Sequence, residues 1–291
     1  MTAPVAFWRW ISPVCIALVT AQSVFHWSIE GDSPPVKVFD RNAGLTDGTQ
    51  IINYQVSGDG KWCLLCGISA GASPGVINGT MQLYSVEKAV SQMLQGHAGA
   101  FTVLTIPGRE ETAQVLCFED KKPDQPAKLF IMEVGRDKSA PGGVFRVTPQ
   151  LIPVAPDAPN DFPVTMNVSK KHFVVYMISK MGFLYLFDVF SGKAIYRARI
   201  TNDAVIAATE HTATGGVLGI TRKGQVSATV HSVRPGLENT VVIHAAHTLH
   251  TVRFVEVTSS HYWHGNHLEL FPHMTHRILP VTVFHRCCSW V

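Results

Sequence analysis

The chain has 291 residues, with 24 Lys and Arg against 21 Asp and Glu and a formal net charge of +3. That near-balance, with no basic block, argues against a nucleic-acid-binding surface, and the 46% hydrophobic and 15% charged fractions argue against a largely disordered chain. The length suits one large domain or two ordinary ones around a sizeable core.

Phe7 to Trp10 opens an aromatic-rich strand, Val14 to Thr20 is the next, and Ser23 to Ile29 the third. Arg9, the run ISPVCIALV and small residues around Ala21 also resemble a secretory leader. Against that, Pro13 interrupts the run, and Val14, Ile16 and Leu18 alternate with Cys15, Ala17 and Val19 as a strand does. No run approaches the roughly twenty apolar residues of a membrane-spanning helix, so direct membrane insertion is not expected. Glu30 to Pro35 is a turn by composition, and Val36 to Phe39 a fourth strand.

Gln50 to Tyr54 and Trp62 to Ile68 form strands around a Gly58-Asp59-Gly60 turn. Gly71 to Gly79 reads as a loop. Met81 to Val86 and Val90 to Leu94 are strands joined by the polar turn Glu87-Lys88-Ala89. Further strands follow at 102–106, 114–118 and 128–134. The segment 135–159 is rich in Pro and Gly, with one weak strand at Val144 to Val147. The series resumes at 164–168, 173–179, 183–190, 194–199, 205–208, 217–221 and 225–230.

These segments repeat. Trp27, Tyr84, Met132 and Phe187 hold corresponding places about fifty residues apart, and a period of about forty to fifty residues with about four strands each indicates an all-β propeller. A single such unit cannot bury both faces, so neighbours must stack. A β-sandwich or two small β domains is the competing architecture.

Six cysteines, Cys15, Cys63, Cys66, Cys117, Cys287 and Cys288, show no disulfide framework, which favours reduced thiols in a cytosolic protein. Cys63 and Cys66 make a lone CxxC within a strand pattern, where residues three apart face opposite ways; packing accounts for both. His261, His264 and His267 would gather on a helix as zinc ligands do, but Gly265, Pro272 and abundant β-branched residues oppose a helix, and carboxylates to orient them are scarce. No metal or cofactor is assigned. The sequence carries no HExxH, nucleophile elbow or phosphate-loop spacing, and the chain is not read as an enzyme.

FWRWIS at 7–12, VFHWSIEGDSPPVKVFDR at 24–41, QIINY at 50–54, KWCLL at 61–65, GISA at 67–70 and MQLYSVEKAVSQ at 81–92 follow one another in order. GHA at 96–98, NDFPV at 160–164 and RKGQV at 222–226 continue them. Together they resemble the N-terminal domain of the clathrin heavy chain over about residues 1–226. The resemblance implies a structural component of the clathrin coat, a seven-bladed propeller that binds short motifs of cargo adaptors in endocytosis and vesicle transport. It places residues 1–230 as an incomplete propeller of about five blades, with the first two blades and the helical leg absent. Light-chain binding and trimerisation belong to that leg. Residues 231–291 form a divergent, His-rich tail with no assigned fold.

Two peptide sites are implied by the resemblance. Trp62, Leu83, Lys88, Val90, Gln92 and Leu94 stand where an arrestin-type leucine-rich peptide docks, with lysine at 88 where arginine is usual. Gln50, Ile52 and Ile68 match a second pocket for tryptophan-containing peptides. Read without the family, the same residues are blade-packing positions with an exposed turn lysine. A secreted propeller and a non-functional fragment are the alternative readings of the whole.

Overall fold

The computed structural model describes residues 3–46, 48–122, 125–137, 139–211 and 216–223, and beyond these the backbone of strands 226–233, 240–246, 252–258, 260–264 and 267–271. Side chains are described within the first set, through 209 and over 217–223. The chain divides into two compact units, Met1–Val205 and Ile206–Val291.

The first unit is built from four antiparallel four-stranded meanders in chain order. Sheet I is β1 (Val5–Ser12), β2 (Cys15–Thr20), β3 (Ser23–Ser28) and β4 (Val36–Asp40). A short 3-10 turn at Ala43–Leu45 leads to sheet II: β5 (Gln50–Val56), β6 (Trp62–Ala70), β7 (Ile77–Ser85) and β8 (Val90–Gln95). Sheet III is β9 (Gly99–Thr105), β10 (Thr112–Asp120), β11 (Lys128–Glu133) and β12 (Gln150–Leu151). Sheet IV is β13 (Pro163–Ser169), β14 (Val174–Ser179), β15 (Phe183–Asp188) and β16 (Ala194–Arg199).

The first strands of successive sheets lie side by side, β1 by β5, β5 by β9 and β9 by β13. This is the radial repetition of propeller blades. Middle strands are covered on both faces, so their sequences are nearly continuous apolar runs: VVYMIS in β14 is buried throughout. Sheets I and II meet through Ala17, Val19, Val24 and Phe39 against Tyr54, Cys63 and Leu65. Sheets III and IV meet through residues that include Leu129, Ile131, Met177 and Phe187. Each fully buried aliphatic or aromatic side chain contributes about 1.5–3 kcal/mol of transfer free energy.

Trp27, Tyr84, Met132 and Phe187 each occupy the penultimate position of the third strand of their sheet. The period read from the sequence is therefore the blade period. Cys63 packs toward sheet I and Cys66 toward sheet III, and burial pushes their thiols up to about 11 and about 12.

Two local expectations change. The loop expected over Gly71 to Gly79 ends early: β7 begins at Ile77, and the hairpin closes where Gly71 N–H donates to the Val76 carbonyl at 2.8 Å. Val144 to Val147 is not a strand. It holds one isolated bridge, Met132 to Arg146, and the fourth strand of sheet III is Gln150–Leu151. The cause is a side chain: Phe145 N–H donates to the Glu133 carboxylate at 2.8 Å, which interrupts a regular backbone ladder.

After these four meanders, β17 (Val205–His211), β18 (Gly216–Thr221), β19 (Val226–Val233), β20 (Thr240–Ala246) and β21 (Val252–Thr258) form one five-stranded sheet in chain order. β22 (Ser260–His264) and β23 (His267–Phe271) pair as a hairpin. The sheet thus continues past residue 230, where β-branched runs such as TVVI carry it. His261, His264 and His267 lie on this hairpin, with His264 opposite His267, and not on a helix.

Candidate functional site

The candidate site is one face of sheet II. Directly opposed residues on antiparallel strands project from the same face, so the pairings fix its members. Leu83 is opposite Gln92, Met81 opposite Leu94 and Ser85 opposite Val90. On the other side of β7, Trp62 is opposite Ser85 and Leu64 opposite Leu83. Gln50 is opposite Ile68, and a register shift between Ile51 and Asn53 leaves Ile52 bulged. Ile52 still packs in the same apolar cluster as Trp62, Leu83 and Leu94.

The structure therefore brings together Trp62, Leu83, Val90, Gln92, Leu94, Gln50, Ile52 and Ile68 on one continuous face. The two peptide sites implied by the resemblance are its two ends. Only Lys88 stands off it, exposed in the β7–β8 turn, where its N–H donates to Ser85 Oγ at 3.3 Å.

That face meets sheet III. Leu64, Cys66, Met81 and Leu83 pack on Leu116 and Phe118, with Phe101, Phe130, Met132 and Val134 part-buried around them. Leu83 is a wall and is closed to solvent; Val90 is 60% exposed, and Gln92 is exposed beside it. The open strip is thus Val90 and Gln92, with Lys88 in the turn at its end, backed by the half-buried Trp62 and Leu94. A leucine-bearing peptide could lay its side chains on the apolar backing and bond its backbone amides to Gln92.

The opposite bank comes from residues not marked as candidates by the sequence. After β11 the chain turns at Gly135, whose φ is +85°. A Cβ there would stand 3.2 Å from Trp62 Nε1, so Gly135 is what lets the indole edge approach the turn this closely. The following loop is tied down by charge. Arg109 donates to the buried Glu133 at 2.8 Å and to the Gly142 and Gly143 carbonyls at 2.9 and 2.6 Å. Arg136 donates to the Pro141 carbonyl at 2.6 Å and lies 3.5 Å from Glu111. Asp137 sits on this loop. The Ser139 N–H and hydroxyl, at 2.8 and 2.7 Å, hold its carboxyl below the usual range, and the charge of Lys88 acts on it in the same direction. Lys88 and Asp137 thus place one positive and one negative group at the groove. No local spacing links Arg109 to Glu133 or Glu111 to Arg136, because these pairs meet only across strands.

A "Probable clathrin heavy chain 1" of Caenorhabditis elegans is 46% identical over 222 residues, 76% of this chain and 13% of the relative. The Drosophila melanogaster clathrin heavy chain is 45% identical over 228 residues, and clathrin heavy chain 2 of Homo sapiens 42% over 226, each covering 78% of this chain and 13% and 14% of the relative.

The chain is a clathrin heavy chain homologue.

It spans about an eighth of the length of these curated relatives. No protein-family model matches it. Among solved structures, the Cps50 (Swd1) β-propeller domain of Myceliophteria thermophila matches with a TM-score of 0.50 at 11% identity, over 96% of this chain and 86% of that one. A chain of the Mitotic Checkpoint Complex matches with a TM-score of 0.50 at 10% identity, over 93% and 79%. At such identities the likeness concerns fold alone, and with the stacked meanders it makes this clathrin homologue an incomplete β-propeller. Among the described residues no helix is long and apolar enough to cross a membrane.

Proposed function

We propose that this chain contributes a peptide-docking propeller to the clathrin coat, with the sheet II face as its site. The observation that carries this reading is the alignment of Val90, Gln92 and Leu94 on β8 with Leu83 and Met81 on β7. It yields an apolar strip with an exposed amide and an exposed cation along one edge. The partners are adaptor proteins presenting short leucine-rich motifs from disordered segments. Single sites of this kind bind weakly, and multivalency in a coat supplies avidity. The Gln50, Ile52 and Ile68 end of the same face is the docking point for a tryptophan-bearing motif. The place of action is the cytoplasmic side of coated pits and coated vesicles. The role is structural, with no reaction catalysed and no cofactor used.

Titrating a fluorescent leucine-rich adaptor peptide against the folded chain tests this. Gln92→Ala and Lys88→Glu should each weaken binding about tenfold, as expected for loss of one well-placed hydrogen bond or charge. Affinity unchanged in both variants would rule out this face as the site.

A further inference from the structure

We propose that a second cleft, between sheets II, III and IV, is a binding site for a peptide segment that presents an arginine or lysine side chain to Asp161. The cleft has a volume of about 610 Å³ and shares no candidate residue with the groove described above. Its size lies in the range of small-ligand sites, which combine apolar walls with a few fixed polar groups. Three of the segments that carry the family resemblance meet here from distant parts of the chain: GISA through Ser69, GHA through His97, and NDFPV through Asn160 to Pro163.

The decisive feature is a carboxylate with one oxygen committed and one free. Asp161 Oδ1 accepts from the N–H groups of Phe162 and Met181, each at 2.9 Å, which locks the side chain between the loop before β13 and the β14–β15 turn. Asp161 Oδ2 is buried and has no hydrogen-bond partner among the described residues. A buried acceptor in that state is costly, and a ligand donor that displaces the groups screening it satisfies it.

None of the nearby cations pairs with Asp161. His97 is clamped by Glu119 at 2.8 Å through Nδ1 and by the Ile77 carbonyl at 3.0 Å through Nε2, so its ring cannot turn to Asp161. Phe162 stacks on that ring, with centroids 5.0 Å apart, and fixes the loop from the other side. Arg199 pairs with Asp157 at 2.9 Å and lies over the Phe183 ring; Arg197 donates to the Val154 carbonyl at 3.2 Å. Lys121 donates to the Gln125 carbonyl, and neither it nor Lys122, which also lines the cleft, pairs with Asp161.

The rest of the cleft selects among donors. Ile77, Ile152, Val154 and Met177 supply apolar wall, and Tyr185 brings its phenol to the lining. Burial and then the charge of Asp161 push that phenol up to about 12, which keeps it a neutral hydroxyl near the carboxylate. A long aliphatic stem ending in a cationic donor matches this combination: the stem covers apolar wall while the head meets Asp161 in the lining. The bond formed is charge-assisted, and stronger than a neutral amide would make.

The test titrates N-acetyl-arginine amide into the full chain by NMR, with N-acetyl-glutamate amide and N-acetyl-leucine amide as controls. The expected result is saturable binding of the arginine probe alone, with shifts at Asp161, Phe162 and Tyr185. Asp161→Asn keeps the Oδ1 acceptor and turns the free oxygen into a donor; it should weaken binding at least about tenfold. Tyr185→Phe keeps the ring and should weaken it several-fold, which preserves the test if Asp161→Asn does not fold. Gln92→Ala should leave the arginine probe unaffected, so this site and the sheet II groove can fail separately. No saturation by about 20 mM probe, equal binding of the glutamate or leucine probe, or undiminished binding by folded Asp161→Asn would each overturn the proposal.

Discussion

His97 and His26 are both withdrawn from solvent, yet the folded state shifts them in opposite directions. Burial pulls the His97 imidazolium down, but the hydrogen bond to Glu119, that carboxylate's charge and the Ile77 carbonyl outweigh it, and the net shift is upward. His26 is pulled down by burial, and its Nε2 meets the Tyr54 hydroxyl at 2.8 Å. Linkage fixes the signs. The unfolded value for both is about 6.5. The His97 contribution is complete below that pH and is lost as pH rises through the higher folded value. The His26 contribution is complete above it and is lost as pH falls through the lower folded value. Thermal midpoints measured from pH 5 to 9 should therefore fall on both sides of neutrality. His97→Asn should flatten the alkaline limb only, and His26→Asn the acid limb only. An alkaline limb that survives in His97→Asn, and equally in Glu119→Gln, would remove the pair from this account. The sequence shows His97 within a family-like GHA but offers no sign of its partner, because Glu119 is reached only through the β9–β10 pairing.

At the scale of elements, the equivalent positions Trp27, Tyr84, Met132 and Phe187 show what a blade face requires. Phe187 is fully buried in the cluster between sheets III and IV, and Tyr84 stacks on Phe39 of sheet I with centroids 4.6 Å apart. Trp27 lies on sheet I, on a face that no described sheet covers, and is 37% exposed; Trp8 and Trp10 are exposed at 60% and 48%. The same position should thus have graded energetics. Phe187→Ala should cost about 3–5 kcal/mol, Tyr84→Ala less, and Trp27→Ala roughly 1 kcal/mol or below. Urea unfolding of the three variants would check the order, and a Trp27→Ala cost matching that of Phe187→Ala would show that the first sheet's outer face is covered after all. Most strands were legible because apolar runs bounded by Gly, Pro and Asn turns report sheet pairing directly. The fourth strand of sheet III was not. Pro141, Gly142 and Gly143 obscure the pattern there, and a carboxylate takes the bond a backbone carbonyl would usually accept.

For the molecule as a whole, the question is how far the groove depends on structure outside it. Its residues were legible only through the family resemblance; by pattern alone Trp62, Leu83 and Leu94 are ordinary blade-packing positions, and in the structure Leu83 is buried with Trp62 and Leu94 half-buried beside it. What neither pattern nor resemblance supplied was the bank formed by Gly135, Arg136 and Asp137, since it takes shape only when sheet III stacks on sheet II. Both banks lie within the Met1–Val205 unit, and repeat architectures transmit perturbations mainly to adjacent repeats. Stability and docking should then separate by location. Leu64 is fully buried between sheets II and III, directly opposite Leu83; Leu64→Ala should cost about 2–5 kcal/mol and weaken peptide binding several-fold, because the cavity lets the groove floor shift. Val217 is 1% exposed on β18, in the other unit. Val217→Ala should cost about 1–2 kcal/mol and leave the peptide Kd within about twofold of wild type. Chemical unfolding and fluorescence anisotropy on the same preparations would measure both quantities. A Val217→Ala chain that stays folded but loses peptide affinity as Leu64→Ala does would mean that the groove is held by the whole molecule, and not by the contact of two neighbouring blades.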